Sequence, residues 1–242
     1  MEKEYDKITA HYYSMYRPPL HQLILECCLD SSTEYGLGLD IGCGVGHSSI
    51  ALSEFSNQVI GIDPSLAMIK NAKDHPSVQY QLSNGGILNF DDNSFDLITF
   101  AGSLYYAKSQ EFINETIRVC KDDKKIIVYD FQLQLDSFLT DLIGKSNEEI
   151  MEVYNHKTNL SKLITNNLLE LSSKQEALQI NLSLENIIQL LLSVKDQYIR
   201  LCDVFGNEKL EEEMQAKFLM LGYTSQNEID ATIYYTIYKV KK

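Results

Sequence analysis

The segment Leu39-Asp-Ile-Gly-Cys-Gly-Val-Gly-His47 places an acid, Asp40, near the end of an apolar run, Gly36–Ile41, and then sets glycine at positions 42, 44 and 46. Glycines so spaced let the backbone turn tightly and come close to a ligand. A helical stretch, Gly46–Glu54, follows, so its first free N–H groups face the same turn. A dinucleotide fingerprint needs a third glycine three residues after the second, and His47 stands there instead. Asp40 would also repel a pyrophosphate, whereas a ligand with an ammonium group would welcome it.

Working outward, Val59-Ile-Gly-Ile-Asp63 is a second apolar run, this one closed by an acid. In a strand–helix–strand unit Asp63 falls beside the glycine turn. There it either accepts ribose hydroxyls or caps the helix that Pro64 and Ser65 begin. Further short apolar runs lie at Val78–Leu82, Leu97–Phe100 and Ile126–Tyr129. Amphipathic stretches at Ser65–Lys73 and Gln110–Cys120 separate them. This alternation predicts an α/β fold: a doubly wound, mostly parallel sheet covered on both faces.

After Asp130 the rhythm changes. Residues 136–170 read as helical and polar, followed by a strand at Glu176–Ser183. A long apolar helix at Ile187–Cys202 and a charged one at Glu208–Leu221 come next. Ala231–Val240 alternates with period two and is rich in β-branched and aromatic residues, which predicts a strand. Residues 4–16 and 18–29 read as two helices broken at Pro18-Pro19. The expected organisation is one domain over 1–242. It comprises a helical lid (1–29), a cofactor-binding half (30–135), a helical substrate cover (136–175) and C-terminal strands and helices (176–242).

The 242 residues carry a net charge of −13, which disfavours nucleic acid and anionic membrane surfaces as partners. No apolar run reaches the roughly 18 residues of a spanning helix, and Met1–Leu20 is polar. The expectation is therefore a soluble, cytoplasmic protein. Five cysteines without a CxxC spacing predict free thiols, with neither a disulfide frame nor a metal site.

Leu39–Leu52 resembles motif I of the class I S-adenosylmethionine-dependent methyltransferases, and Val59–Lys73 resembles the segment after it. Val78–Tyr106, with Ser94-Phe95-Asp96, is similar to their next stretch. Ala10, Tyr13, Arg17 and Pro18 resemble an N-terminal pattern of the small-molecule subgroup that includes type 11 and trans-aconitate methyltransferase-like proteins. The resemblance implies a Rossmann-like sheet of seven strands, the last antiparallel. S-adenosylmethionine would be the cofactor, S-adenosylhomocysteine the product, and no metal would be needed. Asp40, Gly42, Cys43, Gly44 and Gly46 would hold its methionine part, and Asp63 with Pro64 its ribose. Asn84 and Gly85 stand where the family has an acid and an alanine at the adenine. Ala101, Gly102 and Ser103 would lie against the sulfonium. Arg17 either pairs with the cofactor carboxylate or is a surface residue, and Tyr13 would line the cleft.

The expected reaction is an in-line methyl transfer to a small molecule by a monomer or homodimer. The acceptor atom (oxygen, nitrogen or carboxylate) stays open. Ser103, Tyr105 and Tyr106 are substrate candidates, the tyrosines as aromatic wall or as orienting groups. No catalytic base is assigned, because His11, His47 and His156 show no partner in the sequence. Two alternatives stand beside this reading. One is a non-catalytic protein that binds the cofactor or product on the same fold. The other is a nicotinamide-dependent oxidoreductase, against which Asp40 and His47 speak.

Overall fold

The computed structural model describes residues 7–16, 18–30, 32–83, 86–107, 109–144, 154–161, 163 and 166–242. Its strands are β1 (Tyr35–Ile41), β2 (Ser56–Asp63), β3 (Val78–Leu82), β4 (Phe95–Ala101), β5 (Cys120–Leu133), β6 (Leu168–Ser183) and β7 (Gln226–Val240). They form one sheet in the order β3-β2-β1-β4-β5-β7-β6, with β7 antiparallel. β1 pairs in parallel with both β2 and β4, so the strand order reverses between β1 and β4. All seven residues of β4 but the last are buried. Burial on both faces explains why its sequence is a continuous apolar run.

The helices are α1 (Lys7–Met15), α2 (Leu20–Cys28), α3 (His47–Ser53), α4 (Leu66–Lys70), α5 (Leu104–Ala107), α6 (Gln110–Val119), α7 (Asp136–Ile143), α8 (Leu184–Leu192), α9 (Lys195–Phe205) and α10 (Leu210–Met220). The chain divides into two compact units. The first comprises 1–18, 132–153 and 177–232. Its core gathers Phe138, Leu142, Ile187, Leu191, Met214 and Phe218, with Tyr12 and Tyr16 packed against it. The second comprises 19–131, 154–176 and 233–242. Its core gathers Leu39, Ile98, Phe100, Ile113, Ile117, Ile126 and Tyr238.

Three expected elements differ. Residues 136–170 are not uniformly helical: α7 stops at Ile143 and β6 starts at Leu168, before the expected Glu176. The first part of β6 is mostly exposed, as suits a strand at the sheet edge, and so has no apolar signature. The helix expected over Ile187–Cys202 is two helices. Ser193 ends α8, its hydroxyl donating to the Leu190 carbonyl at 2.7 Å, and Val194 is extended before α9 begins.

Candidate functional site

In an open α/β sheet, ligands bind outside the carboxyl ends of the strands where the order reverses. Here that place lies between β1 and β4. The chain leaves β1 through Gly42, Gly44 and Gly46, with φ of 74°, 55° and 92°. The N–H groups of Gly42 and Cys43 donate to the Ile62 carbonyl at 2.7 and 3.0 Å, which folds the turn onto β2. A Cβ on Gly46 would lie 2.1 Å from the Tyr80 hydroxyl, and one on Gly42 would lie 2.3 Å from the Ser103 Cβ. The turn is therefore closed in by side chains that only glycine admits.

Asp40 is wholly buried. One of its oxygens accepts from the hydroxyls of Ser48 and Ser49 at 2.6 and 2.7 Å, the other from Thr99 at 2.9 Å. It ties β1, α3 and β4 together. Asp63 accepts the Gly44 N–H at 2.9 Å on one oxygen and the Ser65 N–H at 2.8 Å on the other. Each oxygen can accept a second hydrogen bond. Burial pushes both carboxyls above the usual carboxylate range; the hydrogen bonds they accept oppose this, and Asp63 adds to the rise at Asp40. Burial, Asp40 and Asp63 likewise raise the Cys43 thiol, which is inert as a nucleophile in that state.

Two desolvated carboxylates around a glycine turn make a crevice that favours a cation and disfavours a pyrophosphate. This donor set fits S-adenosylmethionine, whose sulfonium and ammonium are positive. Pro64 is exposed beside Asp63. Ala101 ends β4, paired with Tyr129. Ser103 donates to the Ile41 carbonyl and so latches the turn after β4 to β1. Tyr105 and Tyr106 follow on α5, their ring centroids 5.2 Å apart, with Tyr106 largely exposed. Tyr13 lies on α1, in the other compact unit. Arg17, Asn84 and Gly85 lie outside the described residues. No group of three His, Cys, Asp or Glu that could hold a metal occurs among the described residues.

Sequence reasoning missed Ser48, Ser49 and Thr99 around Asp40, and it missed a partner for His156. That partner is Asp130, whose carboxylate lies 3.0 Å from Nδ1 of His156. A signal was present: Asp130 follows the apolar run Ile126–Tyr129 as Asp63 follows its own.

Residues 39–128 match a family described as a methyltransferase domain. A Dictyostelium discoideum protein provisionally named a methyltransferase is 29% identical over 127 residues, which are 52% of this chain and 47% of that protein. The uncharacterized methyltransferase YcgJ of Bacillus subtilis is 29% identical over 45% of this chain and 46% of its own. The chain thus spans about half the length of these curated relatives. The crystal structure of YcgJ superposes on 93% of this chain and 100% of its own with a TM-score of 0.52. A structure from Anaeromyxobacter dehalogenans, provisionally named a type II methyltransferase, covers 93% of this chain and 98% of its own, with a TM-score of 0.62 and 18% identity. The fold is that of the Rossmann-like methyltransferases.

Proposed function

We propose that this protein is a class I S-adenosylmethionine-dependent methyltransferase acting on a small molecule. The observation that carries the reading is the pair of buried carboxylates, Asp40 and Asp63, bracketing the glycine turn at the strand-order reversal. The match of residues 39–128 to a methyltransferase domain supports it. The net charge of −13 supports a small acceptor over nucleic acid.

When bound, S-adenosylmethionine supplies a methyl group activated by a sulfonium. The chain's own residues bind, orient and keep out water. Asp63 accepts the ribose hydroxyls. Asp40 supplies negative potential from beneath the turn and holds α3 against β1. The turn Gly102–Ser103, latched to β1, borders the reacting end. By the resemblance, Tyr13 and Arg17 would belong to the cofactor's cover and Asn84 and Gly85 to its adenine contacts. Specificity for the acceptor comes from residues other than the glycine turn and the ribose carboxylate.

Titration calorimetry with S-adenosylhomocysteine tests this. The wild-type protein is expected to bind at micromolar levels, and Asp63→Asn to bind roughly 10–100-fold more weakly, as loss of hydrogen bonds to a charged group implies. No heat of binding with the wild-type protein would remove the reading.

A further inference from the structure

Beyond the glycine turn, a second cluster of titratable side chains gathers at the carboxyl ends of β4 and β5. One Asp130 oxygen lies 3.0 Å from His156 Nδ1, and the other accepts the Phe131 N–H at 2.7 Å. With Nδ1 engaged, Nε2 is the imidazole nitrogen left to take a proton. Among the described residues, Asp130 from β5, Tyr154 with its centroid 4.7 Å away, and Tyr234 of β7, stacked at 6.0 Å, flank this imidazole, and Lys157 Nζ lies 5.9 Å from the Tyr234 centroid.

The cluster is joined to the turn after β4. Tyr154 donates to the Gly102 carbonyl at 2.5 Å, and a Cβ on Gly102 would lie 3.3 Å from Asp130. Gly102 adjoins Ser103, which packs on Gly42 at the strand-order reversal. Tyr105 lies 4.7 Å from the Tyr154 ring, and Tyr106 lies 6.0 Å from it, 72% exposed. Three tyrosines thus form an edge-to-face and tilted aromatic cluster at the turn after β4. A cavity of about 280 Å³ is lined in part by His156, Thr158 and Tyr234.

The geometry points to an acceptor-side dyad: His156, oriented by Asp130, takes the proton of a hydroxyl carried by an aromatic acceptor resting on Tyr105, Tyr106 and Tyr154. The inference rests on the methyltransferase reading and names its acceptor class. As the acceptor oxygen forms its bond to the methyl carbon, the carbon–sulfur bond breaks and leaves its electron pair on sulfur. The hydroxyl proton passes to Nε2, and the imidazolium is offset by Asp130. A carboxylate or thiolate acceptor arrives already deprotonated and has no use for this pair. Asp130 is a positioning residue. It fixes the tautomer with hydrogen on Nδ1 and keeps Nε2 open.

Two measurements test it. Ring ¹⁵N spectra, taken at about pH 9 where an ordinary imidazole is neutral, are expected to show His156 with its hydrogen on Nδ1. In Asp130→Asn, the Phe131 N–H keeps the amide oxygen, so the amide nitrogen faces Nδ1 and moves the hydrogen to Nε2. The second measurement is transfer of a tritiated methyl group to catechol, 4-hydroxybenzoate, benzoate or benzylamine. Label is expected on the phenolic oxygens, with a loss of about 100-fold or more in His156→Gln and in Asp130→Asn. S-adenosylhomocysteine affinity, which reports folding and the cofactor crevice, is expected to stay unchanged in both variants. Absence of labelled phenol from a wild-type protein that binds S-adenosylhomocysteine overturns the dyad. So does an undiminished rate in both variants, or a wild-type hydrogen on Nε2. Failure of the wild-type protein to bind S-adenosylhomocysteine instead removes the methyltransferase reading beneath it.

Discussion

At Gly46 the backbone sits at φ 92°, and a Cβ would meet the Tyr80 hydroxyl at 2.1 Å. Gly222 has the same φ but nothing within 4 Å of a Cβ. The pair separates strain from overlap. Gly222→Ala is expected to cost about 1–2 kcal/mol, the penalty of the left-handed region for a side chain. Gly46→Ala adds overlap of about 1–3 kcal/mol and should lose about 2–5 kcal/mol in urea denaturation. Equal losses at the two positions would mean that Tyr80 moves aside freely. The carboxylates at this turn also set a pH dependence. Burial raises both Asp40 and Asp63 above the usual 3.8, against the hydrogen bonds they accept. Their ionised forms therefore cost folding stability once pH exceeds the unfolded values, and a bound cation offsets that cost. As pH falls through the raised values the carboxylates neutralise and the demand for a cation disappears. The preference for the sulfonium compound over its thioether product should thus shrink as the solution is made more acidic, measured by paired calorimetry over a pH series. A preference that grows on acidification would contradict this. Asp63 was legible because a strand closed by an acid is a local pattern. The hydroxyls around Asp40 were not, since Thr99 reaches it only after β4 pairs with β1.

Helix α6 shows how an element beyond the glycine turn holds the stretch after β3. Ser109 caps it, accepting the Phe112 N–H at 3.1 Å. From its last turn Arg118 donates to the carbonyls of Leu88 and Phe90 at 2.8 and 2.9 Å and pairs with Asp92 and Glu115 at 2.7 and 2.9 Å. Glu115 accepts the Leu88 N–H at 3.1 Å. One side chain thus replaces the backbone partners that an irregular segment lacks. Arg118→Met is expected to cost about 1–3 kcal/mol, towards the lower end because the guanidinium is partly exposed. It should also speed hydrogen exchange at Leu88 over the strand amides of β4. Exchange that accelerates equally everywhere would point to global destabilisation instead. The amphipathic pattern of α6 made the helix legible, but Leu88, Phe90 and Asp92, which Arg118 holds, are 26 to 30 residues away from it and left no local trace. The same logic separates the strands. β4 and the C-terminal parts of β1 and β2 read clearly because they are buried on both faces. The start of β6 is held by pairing at a sheet edge and carries no apolar rhythm of its own.

Over the whole chain, three separate stretches, 1–18, 132–153 and 177–232, build one compact unit, and the rest builds the other. No linker composition marks these boundaries, because β5, β6 and β7 each run from one unit into the other. What the sequence did carry was the half with regular strand–helix alternation, whose apolar runs form the core around Leu39 and Ile98. That half holds the glycine turn, so ligand binding there should be visible as stabilisation. A ligand present at 100 times its dissociation constant stabilises the native state by about 2.7 kcal/mol. For a chain of 242 residues, that corresponds to a rise in melting temperature of roughly 5–10 °C. S-adenosylhomocysteine should produce such a rise in a thermal melt, and Asp63→Asn, binding roughly 10–100-fold more weakly, should remove about half of it or more at the same ligand concentration. NADH should produce none, because its pyrophosphate would meet the turn over Asp40, where His47 replaces the third glycine, within a chain of net charge −13. If the protein melts in two steps, the rise belongs to the step that unfolds the glycine turn. A rise with NADH and none with S-adenosylhomocysteine would reverse the choice of ligand, because the same turn would then be shown to tolerate two phosphates beside two buried acids.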